Sequence, residues 1–141
     1  MYKNKNGFTL IELLVSISIV AILSALAIVS FGSAQKKARD ARRSQDMLSM
    51  QKAAEQYYSL SGANYPTAFG VGVTWAVAGQ TILEVVPMDP KGVGYTTPTT
   101  LTALAYCICA YMEGGNGNST NRSCNFVAVG TKSWFCVKNQ Q

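Results

Sequence analysis

The most constraining feature of this chain is an apolar segment near its start that contains a single charge. The segment covers 24 residues, from Phe8 to Phe31, and Glu12 is the only ionisable side chain within it. A helix of this length measures about 36 Å, which is enough to cross the roughly 30 Å hydrocarbon core of a bilayer. The segment therefore predicts a membrane-spanning helix.

The carboxylate of Glu12 requires a partner, because an ionised side chain at membrane depth is costly and is rarely left uncompensated. No Lys or Arg occurs between Phe8 and Gln35. We therefore expect the positive partner of Glu12 to come from a chain end or from another molecule. This expectation is the first indication that the chain assembles with other molecules.

Residues Gly7 to Val15 resemble the processing signal of type IV pilins and of the pseudopilins of type II secretion. In that family a dedicated membrane peptidase cuts after the Gly, and the new N-terminal residue is methylated. The resemblance implies cleavage between Gly7 and Phe8 and N-methylation of Phe8. It also implies that Glu12 acts in assembly, by pairing with the N-terminal amine of a neighbouring subunit.

The resemblance implies a structural subunit that polymerises with copies of itself through its N-terminal helix. Its partners would be the prepilin peptidase, the pilus assembly machinery and, before assembly, the cytoplasmic membrane. It would span that membrane once, with its head outside, and would later form an extracellular filament. The alternatives are a type II secretion pseudopilin and a minor pilin for DNA uptake. A role in adhesion, motility, DNA uptake or secretion stays open.

Two other interpretations of the apolar segment compete with this one. A secretory signal peptide could be cut near Ala25-Leu26-Ala27, but its apolar part would be longer than the usual 7 to 15 residues. A plain membrane anchor would explain the length and leave Glu12 unexplained. The positive-inside tendency also opposes an outside head, because five basic residues follow the segment and only Lys3 and Lys5 precede it.

The residues predict an α+β chain with three regions: a leader at residues 1–7, the apolar helix at 8–31 and a globular head at 32–141. Nothing stops the helix before Ser61-Gly62, so we expect it to run from Phe8 to Leu60. Its second half carries an apolar stripe with three- and four-residue spacing, which should pack on a C-terminal antiparallel β-meander as in the pilin fold. The stripe consists of Met47, Met50, Ala54, Tyr57 and Tyr58.

The opposite face of this part of the helix is charged. Lys36 with Asp40 and Arg42 with Asp46 are four residues apart and predict weak ion pairs along the helix. A solvated face is one interpretation, and salt bridges to neighbouring subunits are the other. The chain has 12 basic and 7 acidic residues. Without Lys3 and Lys5 the net charge is 10 minus 7, or +3, so DNA binding is possible but unsupported.

The rest of the chain predicts a long loop followed by strands. Residues 63–100 are rich in Gly, Pro and Thr and predict an ordered connecting loop around a short run from Ile82 to Val86. Strands are expected at Leu101 to Met112, Cys124 to Gly130 and Trp134 to Lys138. Two sequons, beginning at Asn118 and Asn121, mark the loop between the first two and leave glycosylation open.

All four cysteines lie in this β portion: Cys107, Cys109, Cys124 and Cys136. An even number suits two disulfides in an oxidising compartment. Cys107 and Cys109 are poorly placed to bond each other on one strand. Of the remaining pairings we favour Cys107 with Cys136 and Cys109 with Cys124. Zinc is the alternative, although the C-x-C spacing and the lack of His disfavour it.

The composition disfavours an enzyme. The chain has no His, the commonest general base and metal ligand, and few acidic residues from which to build a catalytic site. Residues 86–92 resemble a loop of secretion pseudopilins, a group in which the region beyond that loop can bind calcium. Glu84 and Asp89 are too few for a calcium cage of 6 to 8 oxygen ligands. We predict no catalytic residue, no metal and no cofactor.

Overall fold

The computed structural model describes residues 7–95, 101–126 and 130–141. These residues form one long helix, a two-stranded sheet and a three-stranded sheet, which confirms the predicted α+β class. The elements are α1 Leu10–Leu60, β1 Trp75–Val77, β2 Gln80–Leu83, β3 Leu101–Thr102, β4 Ala105–Tyr111 and β5 Trp134–Lys138. Most of the predicted leader lies outside the described residues.

Helix α1 begins two residues after the predicted start and ends at Leu60, as predicted. Gly62, two residues after the end of α1, has a φ of 74°, a left-handed conformation that glycine adopts without strain. The Ala63 N–H then donates to the Tyr58 carbonyl at 3.2 Å and satisfies a carbonyl of the last turn.

The chain divides into two compact units, Met1–Gln35 and Lys36–Gln141. The first contains the apolar part of α1. The second contains the remainder of α1 and all five strands, and it has its own apolar core. In that core Met47, Met50 and Ala54 of the helix belong to one buried cluster with Ile108 and Val137 of the three-stranded sheet. The predicted apolar stripe therefore packs as expected.

The three-stranded sheet is antiparallel with the order β3-β4-β5. The predicted strand from Leu101 to Met112 is interrupted, since β3 and β4 are separate strands joined by a tight turn. The predicted strand at Cys124 to Gly130 is wrong in its described part. Phe126 forms only an isolated bridge to Ser119, and β5 pairs directly with β4. Residues 127–129 lie outside the described residues.

The region predicted as a loop contains the hairpin of β1 and β2, which the sequence analysis missed. Its two-residue turn is Ala78-Gly79, with φ values of 50° and 77°. Two successive positive φ angles match the twist of a tight hairpin. Because alanine seldom adopts a positive φ, the sequence gives no strong hairpin signal here.

Candidate functional site

The predicted processing site lies on open chain just before the helix. Gly7 and Phe8 precede α1, and a side chain placed at Gly7 would meet no described atom within 4 Å. Phe8 is 87% exposed. A peptidase could therefore reach the bond between Gly7 and Phe8 without displacing any other described residue.

Glu12 has a hydrogen-bonding partner within its own chain. Thr9 lies one residue before α1, and both its backbone N–H and its hydroxyl donate to Glu12 Oε2, at 2.9 and 2.7 Å. The Glu12 N–H in turn donates to Thr9 Oγ1 at 3.3 Å. This is a capping box, in which Thr9 and Glu12 satisfy each other's backbone groups at the start of the helix. Thr9 supplies hydrogen bonds but no positive charge.

The apolar part of α1 is exposed on every side. The large apolar side chains of residues 8–31 range in exposure from 47% at Val15 to 87% at Phe8. By length and composition this is a helix that can cross a membrane. A helix that is apolar all round is normally buried in a membrane or in a larger assembly. The described residues of the chain supply no cover for it.

A second arrangement, in the second unit, centres on the buried side chain of Arg43. Its guanidinium binds both carboxylate oxygens of Asp89, at 2.5 and 3.0 Å. Its Nη1 also donates to Asp40 Oδ1 and to Glu113 Oε1, each at 2.8 Å. Arg39 binds Glu113 through two further bonds of 2.9 and 2.8 Å. One arginine thus joins the helix to two loops that are distant in sequence.

The remaining polar groups of this region complete the network. Lys91 Nζ lies 3.1 Å from Glu113 Oε2, and the Lys91 N–H donates to Asp89 Oδ1 at 2.8 Å. Asp40 accepts the N–H groups of Glu113 and Gly114, at 2.9 and 2.8 Å. We call these residues the Arg43 cluster: Arg39, Asp40, Arg43, Asp89, Lys91 and Glu113. Three bases and three acids balance in charge.

The cluster shifts the pKa values of its members. Hydrogen bonds from Arg39, with smaller contributions from Arg43 and Lys91, hold the pKa of Glu113 below its usual value. Burial raises the pKa of Asp89, but the bonds from Arg43 and the Lys91 N–H outweigh it and the pKa is lowered. The bond to Asp89 raises the pKa of Arg43. All three groups are therefore charged at neutral pH. Their ion pairs hold the loops that carry Asp89 and Glu113 against the second half of α1.

The cysteines form two disulfides, but the pairing we favoured is wrong. The structure joins Cys107 to Cys124 and Cys109 to Cys136. The reason is strand register: β4 and β5 place Cys109 directly opposite Cys136, whereas Cys107 faces Lys138. The Sγ atoms of Cys107, Cys109 and Cys124 lie within 4.8 Å of one another, a spacing that could suit a metal ion. In the structure these sulfurs are disulfide-bonded and are not thiolates.

Comparison with known families bears on the N-terminal region. The family model of the prokaryotic N-terminal methylation motif matches residues 2–28, which include Gly7, Phe8 and Glu12. The chain carries the signature of type IV pilins and pseudopilins. The match ends at residue 28 and does not extend to the head. No curated protein and no solved structure matches the chain.

In this pilin-like chain the predicted site residues fall into two separate groups. Gly7, Phe8 and Glu12 lie within the first turn of α1 or just before it, and the four cysteines lie in the head. Sequence reasoning missed Thr9, although the Thr-x-x-Glu spacing is a known capping signal. It also missed the Arg43 cluster, whose members are separated by up to 74 residues and carry no local signal.

Proposed function

We propose that this chain is the structural subunit of a type IV pilus. It would be cut between Gly7 and Phe8 by prepilin peptidase, methylated at Phe8 and polymerised by the pilus assembly machinery. The observation that carries the proposal is that the methylation motif opens a fully exposed apolar helix. Such a surface needs lipid around it before assembly and other copies of the same helix afterwards. This is a role in packing and not in catalysis.

Glu12 would act at the subunit contact. Its carboxylate already accepts two hydrogen bonds from Thr9, but no cation lies among its described partners. Processing would create an amine on Phe8, directly before Thr9. In a bundle of helices, the same amine on a neighbouring subunit would supply the charge that Glu12 lacks. The capping box then holds the carboxylate in a fixed position for that contact.

The head would lie outside the cytoplasmic membrane. Two disulfides suit an oxidising compartment and support this orientation. The basic residues after the apolar segment oppose it by the positive-inside tendency. Two of them, Arg39 and Arg43, are neutralised in the folded head by carboxylates of the Arg43 cluster. The positive charge that opposes an outside head is therefore smaller in the folded chain than the count of five basic residues suggests.

Mass spectrometry of the protein from its native envelope tests the proposal. We expect a chain that begins with N-methylated Phe8 and retains the apolar segment. A Gly7→Ala variant should accumulate uncut and should form no filament, while its head folds normally. A mature chain that begins near Ile28, with the apolar segment removed, would contradict the proposal.

A pseudopilin or a minor pilin for DNA uptake is the second candidate. The methylation motif is shared by pilins and pseudopilins, and the residues at 86–92 resemble a pseudopilin loop. Long surface filaments with this chain as their main component would select the major pilin. A short complex confined to the envelope would select the pseudopilin, and a filament with only traces of the chain would select the minor pilin.

A further inference from the structure

The five basic residues that follow the apolar segment are of two kinds in the structure. Arg39 and Arg43 point into the Arg43 cluster and bind carboxylates there. Lys36, Lys37 and Arg42 are exposed, and none of them has an acidic partner among the described residues. We call these three the outer basic group.

The carboxylates expected to pair with this group along the helix are already occupied. Asp40, four residues after Lys36, is buried and binds Arg43 and the backbone near Glu113. Asp46, four residues after Arg42, accepts a hydrogen bond of 2.6 Å from the Tyr95 hydroxyl. The two predicted helical ion pairs are therefore wrong. Tertiary contacts hold the acids, and the outer basic group keeps its full charge.

Another copy of the chain offers few carboxylates to this group. Within the described part of the second unit, Glu84 is the only exposed acidic side chain with neither an ion pair nor a hydrogen bond. The others are held in place: Asp40, Asp89 and Glu113 in the Arg43 cluster, Asp46 by Tyr95, and Glu55 by Tyr65, Tyr106 and the Gln140 N–H. These contacts leave Glu84 as the one carboxylate of the described head that is fully open to a neighbouring copy, so most of the counter-charge of three cations has to come from elsewhere.

The position of the group indicates what that counter-charge is. Along the helix, Lys36 follows Phe31 by five residues, or about 8 Å, and Arg42 lies about 9 Å further. In a chain whose apolar helix spans a bilayer, the headgroup layer on each side is about 5 to 8 Å thick, so Lys36 and Lys37 lie at its outer edge and Arg42 lies in the water layer next to it. Lys and Arg side chains at such positions extend toward lipid phosphates.

We propose that Lys36 and Lys37 bind the phosphate groups of anionic phospholipids in the head-side leaflet, and that the charge of Arg42 adds to the attraction toward the same surface. The inference rests on the proposed function, since it needs the chain to be inserted in a membrane. It adds a specific role for lipid before assembly. The bound phosphates hold the base of the head on the membrane surface, and a subunit that moves into a filament has to release them.

The processed full-length chain, reconstituted as single copies in lipid nanodiscs, provides the test. The discs contain equal amounts of phosphatidylglycerol and phosphatidylcholine, with a trace of either lipid in photo-crosslinkable form. Mass spectrometry measures how often each lipid attaches to peptides from residues 36–43. The triple variant Lys36→Gln, Lys37→Gln, Arg42→Gln is compared with Lys52→Gln, Arg122→Gln, Lys138→Gln, which removes the same charge from other exposed positions.

We expect attachment of phosphatidylglycerol to exceed that of phosphatidylcholine in the unchanged chain and in the control variant. In the first variant the excess should fall by up to about fivefold for each charge removed, which would leave little or none of it. In the unchanged chain the excess should shrink in 1 M salt. Equal attachment of both lipids in the unchanged chain, or an equal loss in both variants, would overturn the inference while leaving the proposed function intact. A chain that failed to insert into the discs at all would overturn both this inference and the proposed function.

Discussion

The side chain of Asn118 hydrogen-bonds both backbone groups of Cys136 on the outer edge of β5, next to the point where the Ser119 backbone pairs with Trp134. The Cys136 N–H donates to Asn118 Oδ1, and Asn118 Nδ2 donates to the Cys136 carbonyl, each at 2.8 Å. Gln51 Nε2 donates to the Lys138 carbonyl further along the same edge, at 2.9 Å. Side-chain amides thus occupy positions where a foreign strand could otherwise pair.

Replacing Asn118 with Ala should weaken the head and open this edge. The loss of two hydrogen bonds to a buried backbone should lower the free energy of unfolding by about 1 to 2 kcal/mol. Urea unfolding followed by circular dichroism, with disulfides intact, measures the change, and amide exchange at Cys136 should become faster. Asn121→Ala is the matched control, because Asn121 is exposed and, among the described residues, its side chain bonds only Ser123. Equal stability of the two variants would contradict the proposed role of Asn118.

Replacing Arg43 with Met should be the most damaging single change in the head. Only 3% of the Arg43 side chain is exposed, and its removal leaves Asp40 and Asp89 buried without the cation that binds them. Breaking such a buried pair from one side costs about 3 to 5 kcal/mol. The urea midpoint measures the loss. Arg43→Lys retains the positive charge but lacks the planar guanidinium, so its urea midpoint should lie between those of Arg43→Met and the unchanged chain. Arg42→Met, at an exposed neighbour, should stay within about 0.5 kcal/mol of the unchanged chain.

Acid should destabilise the head through Glu113. Its pKa is lowered in the folded state, mainly by the bonds from Arg39. A carboxyl group with a lowered folded pKa adds stability that is fully present above its unfolded pKa of about 4 and is lost as the pH falls below it. Urea midpoints at pH 7, 5, 4 and 3 should be level to about pH 5 and then fall. The fall should be shallower for Glu113→Gln, whereas removal of the exposed carboxylate in Glu84→Gln should leave it unchanged.

The sequence predicted those parts of the fold that depend on neighbouring residues. The end of α1 at Leu60 follows from Ser61-Gly62, and the buried side of its second half follows from the spacing of Met47, Met50 and Ala54. Strand β5 has the bounds expected from its residues, Trp134 to Lys138. Each of these features is set within a few residues of the chain, where spacing and turn chemistry are visible.

The features that the sequence did not predict depend on contacts between distant residues. The disulfide pairing follows from which residue of β4 faces Cys136, and one step of register changes that answer. The spacing of Asp40 and Asp46 suited helical pairs with Lys36 and Arg42. In the structure Asp40 is buried against Arg43, and half-buried Asp46 accepts a hydrogen bond from Tyr95. Short-range pairing rules fail where a buried partner from another element competes.

The last prediction separates the two roles that the structure allows for Glu12. As part of the capping box, Glu12 stabilises the start of α1 together with Thr9, and a change in either residue removes the shared bonds. As an assembly residue, Glu12 supplies a negative charge that Thr9 cannot replace. We therefore compare Thr9→Ala, Glu12→Ala and Glu12→Gln in cells that process the chain normally.

Glu12→Ala and Glu12→Gln should both insert and fold normally but yield few filaments, because neither carries the charge that pairs with an amine. Thr9→Ala should still form filaments, since the carboxylate remains. Sheared filaments quantified against membrane-bound subunit measure the yield, and the mass of the N-terminal peptide confirms that each variant is cut and methylated. If Thr9→Ala abolished filaments as fully as Glu12→Ala, while Glu12→Gln assembled normally, the capping bonds and not the charge would explain the requirement for Glu12.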